Sequence, residues 1–339
     1  MFLLILLAGI STFSLTSTLL TYTQPFFLLS SRMGLAGILL LVYAYFKKEL
    51  TLNKKHIYEY SQLIIFAIFL PYALRYYGLK TTNNTQLALF VYNLGPVTTY
   101  LLTHLLGIEF ATKKKSLALA LCLTGLIVSG ALPLPQLFSR IISQNIPQII
   151  TPTALHTTPQ TISQEITPTI PNTMGLPELA IILSLFSFSF GWIVMRKCVI
   201  DYAYKPASIN GIAMLGGGII ALIASLFLET APYVTNISSY IPVLMLVIII
   251  SNLIAYNLYA YATTCYSLTF IQICYWLPIM TKSDYTHIFS ILGTLIFLFG
   301  LLLFYAQEKE GKQILNVIVY KIKAKKTKTN KKTHENQPL

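Results

Sequence analysis

Charge is what this sequence has least of. Only 10% of its 339 residues are charged, against about 25% in an ordinary soluble domain. Acids are scarcer still, with 11 Asp+Glu against 24 Lys+Arg and a net charge of +13. Apolar residues make up 55%, and mean hydropathy is +0.66. Such a composition excludes a disordered chain, a fibrous repeat and a soluble enzyme. It leaves a multi-spanning membrane protein. Cysteines are few: Cys122, Cys198, Cys265 and Cys274 lie in or beside apolar stretches at no metal-ligand spacing. They read as small packing residues, not as disulfides or ligands. HExxH, GxSxG and Walker A motifs are absent. The histidines His56, His104, His156, His287 and His334 are scattered, without carboxylates at helical spacing. These absences argue against an enzyme, a cofactor, a metal site and an ATP-driven pump.

What is there is ten apolar segments, at 2–22, 27–46, 58–78, 85–107, 115–132, 176–195, 207–228, 241–261, 264–280 and 286–305. A helix needs about 20 apolar residues to cross the hydrocarbon. The expected fold is therefore all-α and membrane-integral, with ten transmembrane helices. The N-terminal MFLLILLAGI has no basic start and no cleavage site, so it reads as the first helix and not a removed signal. Segments one to five fill 1–132. A Thr- and Pro-rich stretch, 133–175, cannot span and reads as a linker. The other five segments fill 176–305, the ninth shortened, and a basic tail occupies 306–339.

Lysine and arginine positions orient the chain. With the N-terminus in the cytoplasm, 19 of them face the cytoplasm and five (Arg32, Arg75, Lys80, Arg140, Lys282) face outward. Basic residues resist translocation, so the split predicts both termini inside. The positive charge is then a topology signal, and no nucleic-acid partner is expected. The bilayer is the expected surrounding, and the tail could meet anionic lipid there.

Five helices per half is an odd number, so the second half must enter the membrane inverted. Under a shift of 182 residues Ala73 meets Ala255, Tyr77 meets Tyr259, Thr81 and Thr82 meet Thr263 and Thr264, and Pro96 meets Pro278. Under 181, Pro25 meets Pro206, Met33 meets Met214 and Gly37 meets Gly218. Two inverted five-helix repeats are a transporter signature, with substrate held near the midplane between them.

The string LALFVYNLGPVTTYLLTHLLGIEF, the basic loop after it and the Gly-spaced LCLTGLIVSG resemble the second part of an EamA domain, which defines the drug/metabolite transporter superfamily. ILGTLIFLFG is the counterpart in the second half. Two departures are evident. Gly107 and Glu109 are separated by Ile108 where the family has Gly-Glu, and about a dozen residues are missing between the ninth and tenth segments. The resemblance implies ten helices in two inverted repeats and alternating-access movement of a small polar metabolite across a bacterial inner membrane. Within the superfamily, carriers of intracellular bacteria take up S-adenosylmethionine and return S-adenosylhomocysteine. The Lys-, Ile- and Asn-rich composition hints at an AT-rich genome and places that subgroup first. An amino-acid or nucleoside exporter is the alternative, and a non-transporting scaffold the alternative of another class.

No carboxylate falls deep inside an apolar segment. Glu109, Glu178, Asp201, Glu229 and Asp284 lie at segment ends, where pairing or capping is expected. Proton-coupled carriers keep a titrating acid inside the membrane, so exchange is favoured over proton coupling. What the segments do hold is aromatic and polar. Arg75, in PYALRYYG, is the leading carboxylate-binding candidate. Tyr77, Tyr92, Asn93, Trp192, Tyr256, Asn257, Tyr259, Gln272 and Trp276 complete the expected substrate-binding set. Aromatic faces suit a flat ring or a cation, and the amides suit hydrogen bonding. Arg32 is expected to anchor in the outer head groups. Pro71, Pro96 and Pro278 are expected to kink helices beside the site.

Overall fold

The computed structural model describes residues 15–51, 53–82, 90–109, 112–130, 175–230, 232–277 and 288–309. Among them every regular element is helical. We label these α1 (15–22), α2 (Pro25–Phe46), α3 (Lys54–Thr81), α4 (Gly95–Leu105), α5 (Lys113–Val128), α6 (Leu176–Ile200), α7 (Pro206–Leu228), α8 (Ile237–Cys265), α9 (Leu268–Cys274) and α10 (Ile288–Lys309). Six of them, α2, α3, α6, α7, α8 and α10, are long and apolar enough to cross a bilayer. Large apolar side chains cover their outer faces, among them Leu39, Ile223, Phe227 and Leu302. That pattern suits lipid and would be costly in water. The segment before residue 15, the 133–174 linker, residues 278–287 with Pro278 and Asp284, and the tail after Lys309 lie outside the described residues.

Helix starts follow local chemistry. Proline occupies the first turn of α2, α4, α6 and α7, where its missing N–H costs nothing and its φ is already helical. Side-chain caps begin α5, α8 and α9: Thr112 accepts from Lys115 N, Asn236 from Ser239 N and Ser267 from Phe270 N. These starts explain why α2, α3, α7 and α8 begin a few residues before the apolar runs do. They also divide the 264–280 segment: α8 continues to Cys265, Tyr266 is extended, and Ser267 begins a new helix.

α3 and α8 each contain a π-helical stretch, at Leu63–Phe69 and Ile248–Ala255. Pro71 follows the first. It has no N–H to donate and its ring crowds the preceding turn. The wider i→i−5 bonding, seen from Leu70 N to Ile65 O, absorbs the misfit. The expected kink at Pro71 is thus a local widening of the helix. Pro96 sits at the start of α4.

Small residues set the helix pairs. α2 and α7 make an extensive contact. They run antiparallel, with Gly218 on the Gly34 backbone and Gly37 on Leu215. A Cβ on Gly218 would lie 2.6 Å from Gly34 N. Shifting by 181 residues carries Gly34 onto Leu215 and Gly37 onto Gly218, so these two contacts exchange under the shift read from sequence. α5 and α10 pair in the same antiparallel way through Gly125 on Phe297, Gly293 on Ser129 and Gly300 on Cys122. Cys122, Cys198 and Cys274 are buried as packing residues, and among the described residues no group of His, Cys, Asp or Glu fits a metal.

Polar groups collect at the two ends of the helical body. At one end Glu109 Oε1 accepts from Arg196 Nη1 at 2.8 Å and from Leu268 N at 2.9 Å, and its Oε2 accepts from Thr269 Oγ1 at 3.0 Å. Glu308 accepts from Ser267 N and pairs with Lys115. Glu59 accepts from Lys197 and Tyr202, and the Tyr204 hydroxyl meets both His56 and Tyr60. Burial and the Tyr60 hydroxyl hold the Tyr204 phenol above its ordinary pKa. At the other end Glu229 accepts from Phe26 N and Phe27 N, Thr235 N donates to Tyr22 O, and Lys80 Nζ donates to Leu20 O. These acids pair and cap, as their positions at segment ends led us to expect.

Candidate functional site

Between the two polar ends lies an aromatic cluster drawn from both halves of the chain. α3 supplies Tyr72, Arg75 and Tyr76, one helical turn or less apart and all buried. The Arg75 Cζ lies 4.3 Å from the Tyr72 ring centre, 5.4 Å from Tyr76 and 5.1 Å from Tyr92. A guanidinium among ring faces is held by their negative quadrupoles. The Tyr72 and Tyr256 hydroxyls meet at 2.6 Å, joining α3 to α8. Tyr256 then packs on Trp192 of α6 at 5.1 Å between ring centres, and Trp192 on Tyr259 at 3.8 Å. Gln272 of α9 donates from Nε2 to the Tyr259 hydroxyl at 2.8 Å, and Tyr275 lies 5.7 Å beyond Tyr259. The result is a continuous wall of rings with a cation at one end and an amide at the other.

Of the expected site residues, Arg75, Tyr92, Trp192, Tyr256, Tyr259 and Gln272 come together in or beside this wall. Tyr92 touches Ser184 and Phe188 of α6. Asn93 lies just beyond it and accepts the Trp276 indole N–H at its backbone oxygen, at 2.7 Å. Trp276 itself packs in a second apolar cluster with Phe297, on the α5–α10 side. Tyr77 is 43% exposed and points away from the cluster. Asn257 also faces elsewhere. It accepts from Asn210 and lines a cavity of about 550 Å³ between α2, α7 and α8, which Leu39, Tyr43, Glu49 and Leu253 also border. That cavity is mostly apolar and borders none of the wall's rings, so it is separate from the ring wall.

Two residues were underrated in the sequence. Tyr72 is the joint of the cluster, yet its neighbours in PYALRYYG drew the attention. Arg32 was placed in the head groups, but it is fully buried. Its position eight residues into an apolar helix was the available signal. Arg32 Nε donates to Asn252 Oδ1 at 2.9 Å, Nη2 to Ser251 Oγ at 2.8 Å and Nη1 to the Tyr76 hydroxyl at 2.7 Å. Its Cζ stands 5.3 Å from the Tyr72 ring, on which Arg75 also rests.

The arrangement is one that can bind: among the described residues it offers positive charge, ring faces and amides. Comparison with known proteins agrees. Residues 1–131 match the EamA-like transporter family. A Chlamydia muridarum protein named S-adenosylmethionine/S-adenosylhomocysteine transporter is 27% identical over 273 residues, 78% of this chain and 75% of its own length. Its namesakes in Chlamydia trachomatis serovars L2 and D are each 28% identical over 276 residues, 78% of this chain and 73% of theirs. A solved crystal structure shares the fold at 12% identity, covering 90% of this chain and 98% of its own with a TM-score of 0.56. The family match over residues 1–131, the names of the relatives and the apolar helices together mark the chain as similar to EamA-like transporters, which are membrane carriers and not enzymes.

Proposed function

We propose that this carrier takes up S-adenosylmethionine in exchange for S-adenosylhomocysteine across a bacterial inner membrane, by alternating access. The observation that carries the reading is the ring wall with Arg75 at one end. S-adenosylmethionine presents a carboxylate, a sulfonium cation and a flat adenine. Arg75 suits the carboxylate. Tyr256, Trp192 and Tyr259 suit the adenine and the sulfonium, because ring faces stack on one and attract the other. The Gln272 and Asn93 amides suit the base edge. The names of the chlamydial relatives support the same substrate pair.

The proposed architecture is ten crossings in two inverted repeats, 1–132 and 176–305, with both termini cytoplasmic. The polar ends support it. Alternation places residues 47–59, 109–115, 196–205, 266–269 and 308 on the cytoplasmic side. The pairs of Glu59, Glu109, Glu308 and His56 all join such residues to one another. It places residues 22–27, 80 and 229–236 outside, and the Glu229 and Thr235 bonds join those. The exchange of the α2–α7 contacts under the 181-residue shift supports the repeat. Substrate then sits where the halves meet, as in other carriers built from inverted repeats.

The test is uptake of labelled S-adenosylmethionine into proteoliposomes. Competition by S-adenosylhomocysteine, with none from methionine or adenosine at equal concentration, is expected. Competition by an amino acid or nucleoside alone would replace this substrate by the exporter class.

A further inference from the structure

We infer that Arg32 is a second determinant of the carrier's selection for a carboxylate-bearing substrate, acting as a positioning residue behind Arg75. This rests on the substrate-binding reading of the ring wall given above.

Three observations meet at Arg32. It is 0% exposed, and its hydrogen bonds among the described residues go to neutral partners: Asn252, Ser251, Tyr76 and Thr16. The ion pairs among the described residues are Lys115–Glu308, Arg196–Glu109 and Lys197–Glu59, all at the end proposed as cytoplasmic. Arginine carries its delocalised positive charge wherever a protein places it. Hydrogen bonds to neutral groups hold it there without cancelling its field. Arg32 and Arg75 stand on the same aromatic pair. Arg32 Nη1 fixes the Tyr76 hydroxyl at 2.7 Å, while Arg75 lies over the Tyr76 and Tyr72 rings. Arg32 therefore sets the orientation of a ring against which Arg75 rests.

The surroundings are built to keep Arg32 in that role. Asn252 turns its amide nitrogen to the Met33 and Met214 sulfurs, at 3.0 and 3.8 Å, which leaves its oxygen for Arg32. Ser251 and Asn252 both belong to the π-helical stretch of α8. One positive charge from α2 is thus pinned to α8 of the other half and to α3 of its own. Arg32, held by neutral groups, adds its positive field to that of Arg75 at this site, and such a field favours an anion. A ligand carboxylate placed at Arg75 feels both charges, and a ligand lacking it feels their repulsion of its own ammonium and sulfonium groups.

The measurement is the ratio of apparent affinities for S-adenosylmethionine and its decarboxylated form, from competition for uptake in proteoliposomes. We compare wild type with Arg32→Gln, Arg32→Lys and Tyr76→Phe. The unaltered carrier is expected to prefer the carboxylate form. Arg32→Gln should shrink that preference at least tenfold, weakening the carboxylate form and easing the repulsion of the decarboxylated one. Arg32→Lys, which keeps the charge and loses the three-way grip, should fall between. Tyr76→Phe removes only the bond between Arg32 and the ring and should shrink the preference severalfold, so it decides the matter if Arg32→Gln does not fold. A purely structural Arg32 would lower uptake of both compounds together and leave the ratio at its wild-type value in every variant that folds; that result overturns the inference. Wild-type vesicles that carry neither compound would instead sink the substrate reading. The Arg32 claim would then be decided by the same ratio, for whichever carboxylate-bearing substrate a counterflow screen returns against its methyl ester.

Discussion

Arg75 carries the sharpest single-residue consequence. Its guanidinium lies among the rings of Tyr72, Tyr76 and Tyr92, and in the proposed complex it meets the carboxylate with two parallel donors. Lysine keeps the charge but offers one compact point and stacks poorly on rings, so Arg75→Lys is not a conservative change. Arg75→Lys should raise the KM for S-adenosylmethionine roughly tenfold and Arg75→Gln roughly a hundredfold, about 1.4 and 2.7 kcal/mol of binding, with the maximal rate much less affected. Uptake kinetics in proteoliposomes read this directly. A fall in maximal rate at unchanged KM would remove Arg75 from substrate contact. Residues also show where sequence reading stops. Arg75 and Trp192 were recognisable, because an arginine or tryptophan in an apolar run needs a reason. Arg32 was equally conspicuous, but nothing in the chain near it names Ser251 and Asn252, more than two hundred residues away, as the partners that make burial tolerable. Tyr77 matched Tyr259 in the repeat and still faces outward. The repeat shift fixes correspondence, while the side-chain direction depends on where each helix turns.

At the scale of elements, the α2–α7 pair is the joint on which the two halves lean. In lipid no hydrophobic force drives helices together, so close backbone approach through small residues does the work. Gly218 lies on Gly34 with no room for a methyl, and the nearest atoms are backbone. Gly218→Ala should therefore destabilise by about 1–3 kcal/mol, the usual cost of overpacking, seen as a lower thermal midpoint in detergent. Gly34→Ala meets open space and should be close to neutral. Equal effects at the two positions would contradict the asymmetric contact. Element existence was largely legible, because runs of apolar residues and flanking prolines have direct physical readings. The π-helical stretches in α3 and α8 were not. The sequence marks Pro71 as a problem but does not say whether the helix bends or widens, and nothing near Ile248–Ala255 announces the second one except Pro242, earlier in α8.

For the whole molecule, scarcity of acid is the organising fact. The buried acids among the described residues are Glu59, Glu109 and Glu308. Each is committed to bases or helix starts at the end proposed as cytoplasmic. Among the described residues, none of these three hydrogen-bonds to a ring of the wall. Arg32 and Arg75 were counted among the five outward-facing bases in sequence, and both lie in the core. In the proposed topology the charge asymmetry between the two faces is correspondingly steeper than the count implied. On the proposed exchange reading, no proton step enters the cycle. S-adenosylmethionine carries one more positive charge than S-adenosylhomocysteine at neutral pH, so exchange moves one charge inward per cycle. An interior-negative potential should drive it by about 2.3 kcal/mol per 100 mV. A pH gradient at clamped zero potential should not. Vesicles with potassium and valinomycin separate the two, and acceleration by the pH gradient alone would restore proton coupling.

The claim on which the rest depends is exchange of this substrate pair through one site, and trans-stimulation measures it most directly. Proteoliposomes holding the full-length carrier are loaded with S-adenosylhomocysteine or left empty, with the potential clamped at zero. The initial uptake of labelled S-adenosylmethionine is then compared. The account predicts uptake severalfold faster into loaded vesicles, and loss of that stimulation in Arg75→Gln. Equal rates into loaded and empty vesicles would contradict it.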